Sequence, residues 1–450
     1  MKADNRGKLT RSLALRHVFA LSTGAMLSSG LFLLPGLAAS KAGPSAILAY
    51  LIAGLLAIPA MLSVAELSSA LPKAGGAYYF LERALGPSIG TIAGIGTWLS
   101  LVLKDAFALV GMSAYLVLIL DFNGKAMALV LIAFFTFVNV VGSKVSGSIQ
   151  LFLVVFVLTV MTWFLTEGLF ETQKQGINKS NLDPFFTEGF SGLISVIGLV
   201  FVSYGGLTKV ASAAEEVDDP SLKIPLGMSL SLLVGTVLYT LGALVAVALL
   251  PPDILHEDLA PIHSAAETVL PSAGVALVVL AALAAFASAV NAGILAAARY
   301  PMAMARDGLF PEVAGRLSRY GTPAFGVIVT GVAIALVVLL LDAEAIAKLA
   351  SAFVLLTLGL LNIAVLVLRA SHIQSYAPAF KAPLYPLTQF IGIIISVFLI
   401  FQLGATAMLF VVLFLLRGGL GIVFTRVEKV KEQVQLDKFL KDGVQMLIQN

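Results

Sequence analysis

Long apolar runs, punctuated by short clusters of Gly, Pro and charged residues, recur along this chain from about position 17 to 424. Runs such as Ile52 to Val64 or Val275 to Val290 do not alternate polar and apolar positions, which argues against the strands of a membrane barrel. Each run is about long enough to cross a hydrocarbon core of roughly 30 Å as a helix. Hydropathy and Gly/Pro punctuation predict twelve spans: 17–38, 44–70, 88–120, 125–142, 148–168, 190–214, 225–250, 271–298, 323–341, 345–368, 386–402 and 404–424.

Two of these spans are interrupted. The first contains the run of small and hydroxylated residues Ser22-Thr23-Gly24-Ala25-Met26-Leu27-Ser28-Ser29-Gly30-Leu31-Phe32, and the sixth contains Phe201-Val202-Ser203-Tyr204-Gly205-Gly206-Leu207-Thr208. An unbroken helix satisfies its own backbone, so such residues at mid-membrane are useful mainly where N–H and C=O groups are released to bind something. The interruptions stand five spans apart, an odd number, so two halves built around them have opposite orientations. Paired breaks of this kind point to an inverted-repeat transporter with its site at the midplane.

Composition agrees. The 450 residues are 59% hydrophobic and 12% charged, with a mean hydropathy of +1.00, whereas soluble domains are roughly a quarter charged. The absence of cysteine excludes disulfides, thiol catalysis and cysteine-based metal sites. No cleaved signal peptide is expected. With the N-terminus inside, only Lys41, Lys125, Lys174, Lys179 and Lys348 fall on the outer side and Lys104 and Lys209 within the membrane, the rest of the 28 Lys and Arg lying inside. This asymmetry predicts both termini in the cytoplasm. The acidic outer loop with His256 and His263 reads as solvated rather than metal-binding. The tail, about 426–450, reads as an amphipathic cytoplasmic helix. Neither G-x-x-x-x-G-K-[ST] nor H-E-x-x-H is present, so an ATP-driven pump, a metalloprotease or another enzyme has no support.

Four stretches carry a family resemblance. They are Gly24-Ala25-Met26-Leu27-Ser28-Ser29-Gly30-Leu31-Phe32-Leu33-Leu34-Pro35-Gly36, then Ala65-Glu66-Leu67-Ser68-Ser69-Ala70-Leu71-Pro72-Lys73-Ala74-Gly75-Gly76-Ala77-Tyr78, then Phe201 to Pro225, and Ala303-Met304-Ala305-Arg306-Asp307-Gly308-Leu309-Phe310-Pro311. In this order they resemble the amino acid–polyamine–organocation (APC) superfamily of permeases. The resemblance implies an all-α polytopic membrane protein with a LeuT-type fold: two inverted five-helix repeats plus two peripheral helices, twelve transmembrane helices in all. The corresponding division is 1–16 (cytoplasmic), 17–168 (first repeat), 169–368 (outer loop and second repeat), 386–424 (last two helices) and 425–450 (tail). The Pro72–Tyr78 turn is then expected to lead into a short inner-loop helix that gates the cytoplasmic path.

At the first break, the N–H groups of about Ser28, Ser29 and Gly30 would face a substrate carboxylate. Carbonyls near Gly24, Ala25 and Met26, and near Phe201, Val202 and Tyr204, would accept from its ammonium. Tyr204 and Phe201 are expected as aromatic covers, Phe107 as a more distant one, with Gly205 and Thr208 completing the second break. Exchangers of arginine and agmatine within the family carry a carboxylate where this chain has Thr208, which weakens a preference for cationic substrates, though Asp105 could restore it.

Charges inside the bilayer default to functional roles. Lys104 and Asp105, adjacent on a helix, point about 100° apart; Asp105 is expected to face the substrate or pair with Lys209, and Lys104 to point to neighbouring helices. The lysine that proton-coupled members carry in the fifth helix is matched here by Val157. Lys104 could supply the titrating amine instead, or oxygens at Ala20, Ser22, Ser288 and Asn291 could hold sodium. Glu215, Glu216, Asp218 and Asp219 are expected to form gate ion pairs with Arg306, Arg316 and Arg319. The expected function is secondary active transport of an amino acid by alternating access, with a proton as symported ion, in a plasma membrane whose lipid surrounds the chain. The alternatives are an ion cotransporter of the cation–chloride type and an amino-acid-binding sensor that does not transport.

Overall fold

A computed structural model of the chain describes residues 13–416 except 73–75, 143–146, 175–178, 307, 309 and 373–375, and leaves out the side chains at 87, 88, 147, 148, 179, 180, 212, 213 and 215. The expected tail helix at 425–450, most of the turn at 73–75 and the Glu215 side chain therefore lie outside the described residues.

Among the described residues the regular structure is helical. The first expected span is divided: α1 (Leu15–Met26) stops, Leu27 and Ser28 leave helical geometry, and α2 (Ser29–Phe32) restarts and continues through a bend at Leu33 into α3 (Leu34–Ala42). After a turn at Gly43, whose φ of 57° suits glycine, come α4 (Ala46–Leu56) and α5 (Ile58–Ala70). Helix α6 (Gly76–Val117) is two helices joined at Gly86, where φ is 85° and ψ 168°. Helices α7 (Gly124–Val141), α8 (Gly147–Lys174) and the short α9 (Lys179–Leu182) follow. The expected sixth span begins as α10 (Gly189–Val200), tightens into a 3-10 helix over Phe201–Thr208, and resumes as α11 (Lys209–Ala213).

Pro220 opens α12 (Pro220–Leu249), in a first-turn position that needs no amide donor. Next are α13 (Pro252–Leu255), α14 (Pro261–Val269), α15 (Ser272–Arg306), α16 (Ala324–Leu340), α17 (Ala343–Ala370), α18 (Leu387–Gln402) and α19 (Ala405–Leu416). Helix α17 starts where the Asp342 carboxylate accepts from the amide of Ala345 at 2.7 Å.

By length and composition, eight helical stretches can cross a membrane: Leu34–Ala70, Ile89–Val117, Gly124–Val141, Ile149–Lys174, Gly189–Ala211, Pro220–Leu249, Ser272–Arg306 and Ala343–Ala370. Helices α16, α18 and α19 are apolar but shorter. The chain is an all-α polytopic membrane protein. Large apolar side chains such as Phe134, Phe137, Phe152, Leu233 and Leu340 stand exposed on the outside, as a surface solvated by lipid tails requires.

Helix α6 packs along both α15 and α17, while α1 lies against α8, α12 and the 3-10 segment. The two interrupted helices thereby meet in the interior. At the Leu15 end, the amide of Leu13 donates to the carbonyl of Glu216 at 2.9 Å, tying the segment before α1 to the segment after α11.

Candidate functional site

Glycines bring the two breaks into contact. A carbon added at Gly30 would sit 2.3 Å from the Ser203 hydroxyl, and one at Gly206 would sit 2.6 Å from the backbone of Ala25 and Met26. The backbones can approach this closely only because neither residue has a side chain.

The protein's own donors satisfy most acceptors that the breaks expose. Lys104 donates to the Ala25 carbonyl at 2.9 Å. The Tyr239 hydroxyl donates to the Met26 carbonyl at 2.7 Å and to that of Ser203 at 3.2 Å. The Tyr50 hydroxyl reaches the Gly30 carbonyl at 2.9 Å, and Tyr204 donates to the Tyr50 carbonyl at 2.7 Å. The Val202 amide donates to Ser351 Oγ at 3.0 Å, which in turn donates to the Leu199 carbonyl at 2.6 Å. Buried acceptors are expensive to leave unmade, so these bonds hold both breaks open. Tyr50, Tyr239, Ser351 and Gln150 escaped the sequence reading. The signal for the first two was a single tyrosine inside an otherwise apolar span, since a buried phenol must find a partner.

Several side chains face other ways than expected. Lys104 departs from the expectation by reaching the first break, while the Asp105 carboxylate lies against Gly293 of α15, where an added carbon would be 1.9 Å from an oxygen, and interacts electrostatically with Lys209, one of its two expected partners. The step of about 100° along α6 separates them as anticipated, but the rotation of the helix puts the amine toward α1. Tyr204 is directed toward α4, where its hydroxyl donates to the buried Tyr50 carbonyl. Phe201, also buried, lies beside it with ring centroids 6.1 Å apart. Gly24 faces α8, with the Gln150 amide directly over it.

Of the four positions named for sodium, two side chains are engaged by neighbours. Ser288 donates to Gln150 Oε1 at 2.7 Å, while Asn291 accepts from Asn139 of α7 at 3.0 Å. Ser22 is buried with its hydroxyl unpartnered, and Ala20 is buried too. Val157 lines a small apolar gap with Gly24, Val154 and Ser288. Lys209 donates to the Ala289 carbonyl of α15 at 3.3 Å, one turn before Gly293 and Asp105.

Below the breaks, a cavity of about 430 Å³ opens toward the Arg306 end. Gly205, Thr208 and Lys209 form its floor with Ser100 and Val354, and Arg299, Arg306 and Glu216 lie toward its mouth. Asp218 pairs with Lys223 of its own segment rather than with the arginines, and Arg319 stacks on Tyr320. The opposite end carries ring contacts and ion pairs. Phe32, Tyr115 and Phe286 form a cluster with centroids 5.8 to 5.9 Å apart, and Glu344 pairs with Lys41 at 3.0 Å and Lys348 at 2.8 Å. His263 lies near Tyr115 and Glu267; among the described residues no group of three or more His, Asp or Glu is placed to hold a metal ion.

Polar groups at and beside the breaks keep unused capacity: the hydroxyls of Ser22, Ser28 and Ser203, and one oxygen of Asp105 on α6, are buried without a partner. Ser29, buried beside Ser28, begins α2, whose first amides have no partner within the helix. Paired breaks, unpartnered hydroxyls and the cavity lined by Gly205, Thr208 and Lys209 thus stand side by side. Residues 17–430 match the family model described as amino acid permease.

This chain belongs to the amino acid permease family. It is 30% identical over 398 residues to the vacuolar cationic amino acid transporter 2 of Arabidopsis thaliana, covering 84% of this chain and 62% of that protein. It is 28% identical to the branched-chain amino acid permease BcaP of Bacillus subtilis (91% and 92% covered) and 27% identical to the methylthioribose transporter of the same organism (92% and 93%). The chain thus spans under two thirds of the plant relative and nearly all of the bacterial ones. These relatives are transporters by name, and none of the three is an enzyme.

Proposed function

We propose that this permease carries an amino acid across the membrane by alternating access. The observation that carries the reading is the contact of the two breaks at Gly30–Ser203 and Gly206–Ala25, with the Ser28 and Ser203 hydroxyls buried and unpartnered beside it, next to a cavity lined by Gly205, Thr208, Lys209 and Arg306. In this reading the cavity is the cytoplasmic vestibule of an inward-open state, and the Phe32–Tyr115–Phe286 cluster with the Lys41–Glu344–Lys348 pairs is the closed outer gate. Two inverted five-helix repeats and two peripheral helices, twelve spans in all, put both termini in the cytoplasm of a plasma membrane. The substrate carboxylate binds at Ser28, Ser29 and Gly30.

The coupling ion in this proposal is a proton, with Lys104 as the group that exchanges it. Gln150, a neutral amide bridging Gly24 and Ser288, takes up the space where α1, α8 and α15 meet, and the separate engagement of Ser288 and Asn291 is less suited to sodium. Uptake of a panel of labelled amino acids into proteoliposomes, with proton and sodium gradients imposed separately, tests both parts. Accumulation driven by the proton gradient is expected; binding without accumulation would make the protein a sensor, and accumulation driven only by sodium would overturn the coupling.

A further inference from the structure

A second cavity, of about 520 Å³, lies at the end of the protein where Lys41 pairs with Glu344, and none of its described lining residues belongs to either break. The end of α6, the start of α7, the turn between α16 and α17 and the loop between α13 and α14 enclose it. Most of its wall is hydrocarbon, from side chains such as Val117, Leu118, Val338 and Leu341. Set into that wall are three carboxylates, Glu257, Asp258 and Asp342, and one described amine, Lys125, which stands exposed to solvent.

Local hydrogen bonds fix two of these carboxylates. Asp258 Oδ1 accepts from the Ala260 amide at 2.7 Å, and Asp342 Oδ1 caps α17 by accepting from the Ala345 amide at 2.7 Å. The loop itself is seated on α3, where a carbon added at Gly36 would be 2.4 Å from the Asp258 carbonyl oxygen. Asp258 Oδ2 is buried without a partner, an expensive state for a carboxylate until a cation or donor completes it. The nearby Lys41 and Lys348 are engaged with Glu344. Residues 175–178, outside the described ones, carry no charge, and α9, which bears Lys179, packs on α12 and the turn at Gly43. Among the described residues no three acidic or histidine side chains are gathered to hold a metal ion, so the negative charge is spread along the cavity. Spread charge on a hydrocarbon wall suits an organic cation, whose ammonium makes charge-assisted bonds while its body covers the apolar surface.

We propose that this cavity binds an amphipathic amine, an ammonium group on an apolar body, drawn by the Asp258 and Asp342 carboxylates. An anion is repelled by the same groups. An uncharged alkyl compound covers the wall but leaves the Asp258 oxygen unpaired. The site stands apart from the transport reading, since no residue of either break takes part.

The test is thermal unfolding of the purified full chain in an uncharged maltoside detergent, titrated with hexylammonium, hexanol or hexanoate. Hexylammonium is expected to raise the melting temperature saturably, and the other two, at equal concentration, to leave it unchanged. Asp258→Asn and Asp342→Asn keep an oxygen for the Ala260 and Ala345 amides and lose only the charge. Each is expected to raise the half-maximal hexylammonium concentration by ~10-fold. An equal rise with hexanol, no rise with hexylammonium, or a hexylammonium response that both variants leave unchanged overturns the inference. The same ammonium chemistry is offered by free amines and by the headgroup of phosphatidylethanolamine. If that lipid, added to the detergent, raises the half-maximal hexylammonium concentration, the site holds and takes a lipid headgroup; if it does not, the site holds and takes a free amine.

Discussion

Arg369 grips the Glu66 carboxylate with two parallel bonds, Nε to Oε1 at 2.7 Å and Nη2 to Oε2 at 2.6 Å, joining the end of α5 to the end of α17. The Tyr376 hydroxyl and the Ala382 amide, each at 2.8 Å, complete the shell around a carboxylate with no solvent exposure. The segment after α17 is thereby fastened beneath α5. Removing the guanidinium leaves this carboxylate buried and unpaired, so Arg369→Gln should destabilise the protein by about 3–5 kcal/mol. Arg369→Lys should lie between, because a point charge cannot make the bidentate pair. Melting temperatures in detergent order the three proteins; equal values for Arg369→Gln and the unaltered chain would contradict this.

Contact between the breaks leaves no space for a methyl group. Gly206→Ala and Gly30→Ala should both be damaging, since the first meets the backbone of Ala25 and Met26 at 2.6 Å and the second meets Ser203 Cβ at 2.6 Å, which rotation of the hydroxyl does not move. Uptake by Gly206→Ala is expected to fall by at least ~10-fold, with overpacking costing roughly 1–3 kcal/mol of stability. Unchanged uptake by a monodisperse Gly206→Ala protein would count against the breaks as the moving core of the site.

Tyr239 serves two carbonyls, one in each break. Tyr239→Phe keeps the ring and removes the donor, which should cost about 1–3 kcal/mol and weaken substrate binding. Thermal unfolding and a binding isotherm measured together check this, and a loss of binding with no loss of stability would place Tyr239 on the substrate instead.

Lys104→Ala should abolish the pH dependence of uptake if its amine carries the coupled proton. The measurement is the initial rate against an imposed proton gradient. A variant that still follows the gradient rules Lys104 out.

At the entry to α12, a hydrogen bond from Lys223 holds the Asp218 carboxyl below the ordinary carboxylate range. A lowered folded-state value gives stabilisation that is present above the unfolded pKa, about 4, and lost as pH falls through the folded one. Hydrogen exchange in the first turn of α12 should therefore keep its protection from pH 7 to about 4. Loss of protection already between pH 7 and 5 would show that the exposed pair does not order this turn.

Much of this organisation was legible in the order of residues. Apolar periodicity located the helices because each must satisfy its own backbone in lipid. Small residues at Ser22–Gly30 and Gly205–Gly206 located both interruptions, because only such residues allow two backbones to meet in a membrane interior. The cluster Ala65-Glu66 was visible as a motif, but its partner Arg369 lies some three hundred positions away, and nothing local links them.

What the sequence by itself determined is therefore the membrane class, the helices and the places where two of them break, since those follow from local composition and the solvent. The tertiary structure alone decided which groups fill the breaks. Whether Lys104 or its neighbour Asp105 reaches Ala25 depends on the rotation of α6, set by its packing on α15 and α17. Tyr50 and Tyr239 reach the broken backbones only because α4 and α12 pack beside them. A buried carbonyl takes the nearest donor that packing supplies, and that distance is a property of the assembled helices.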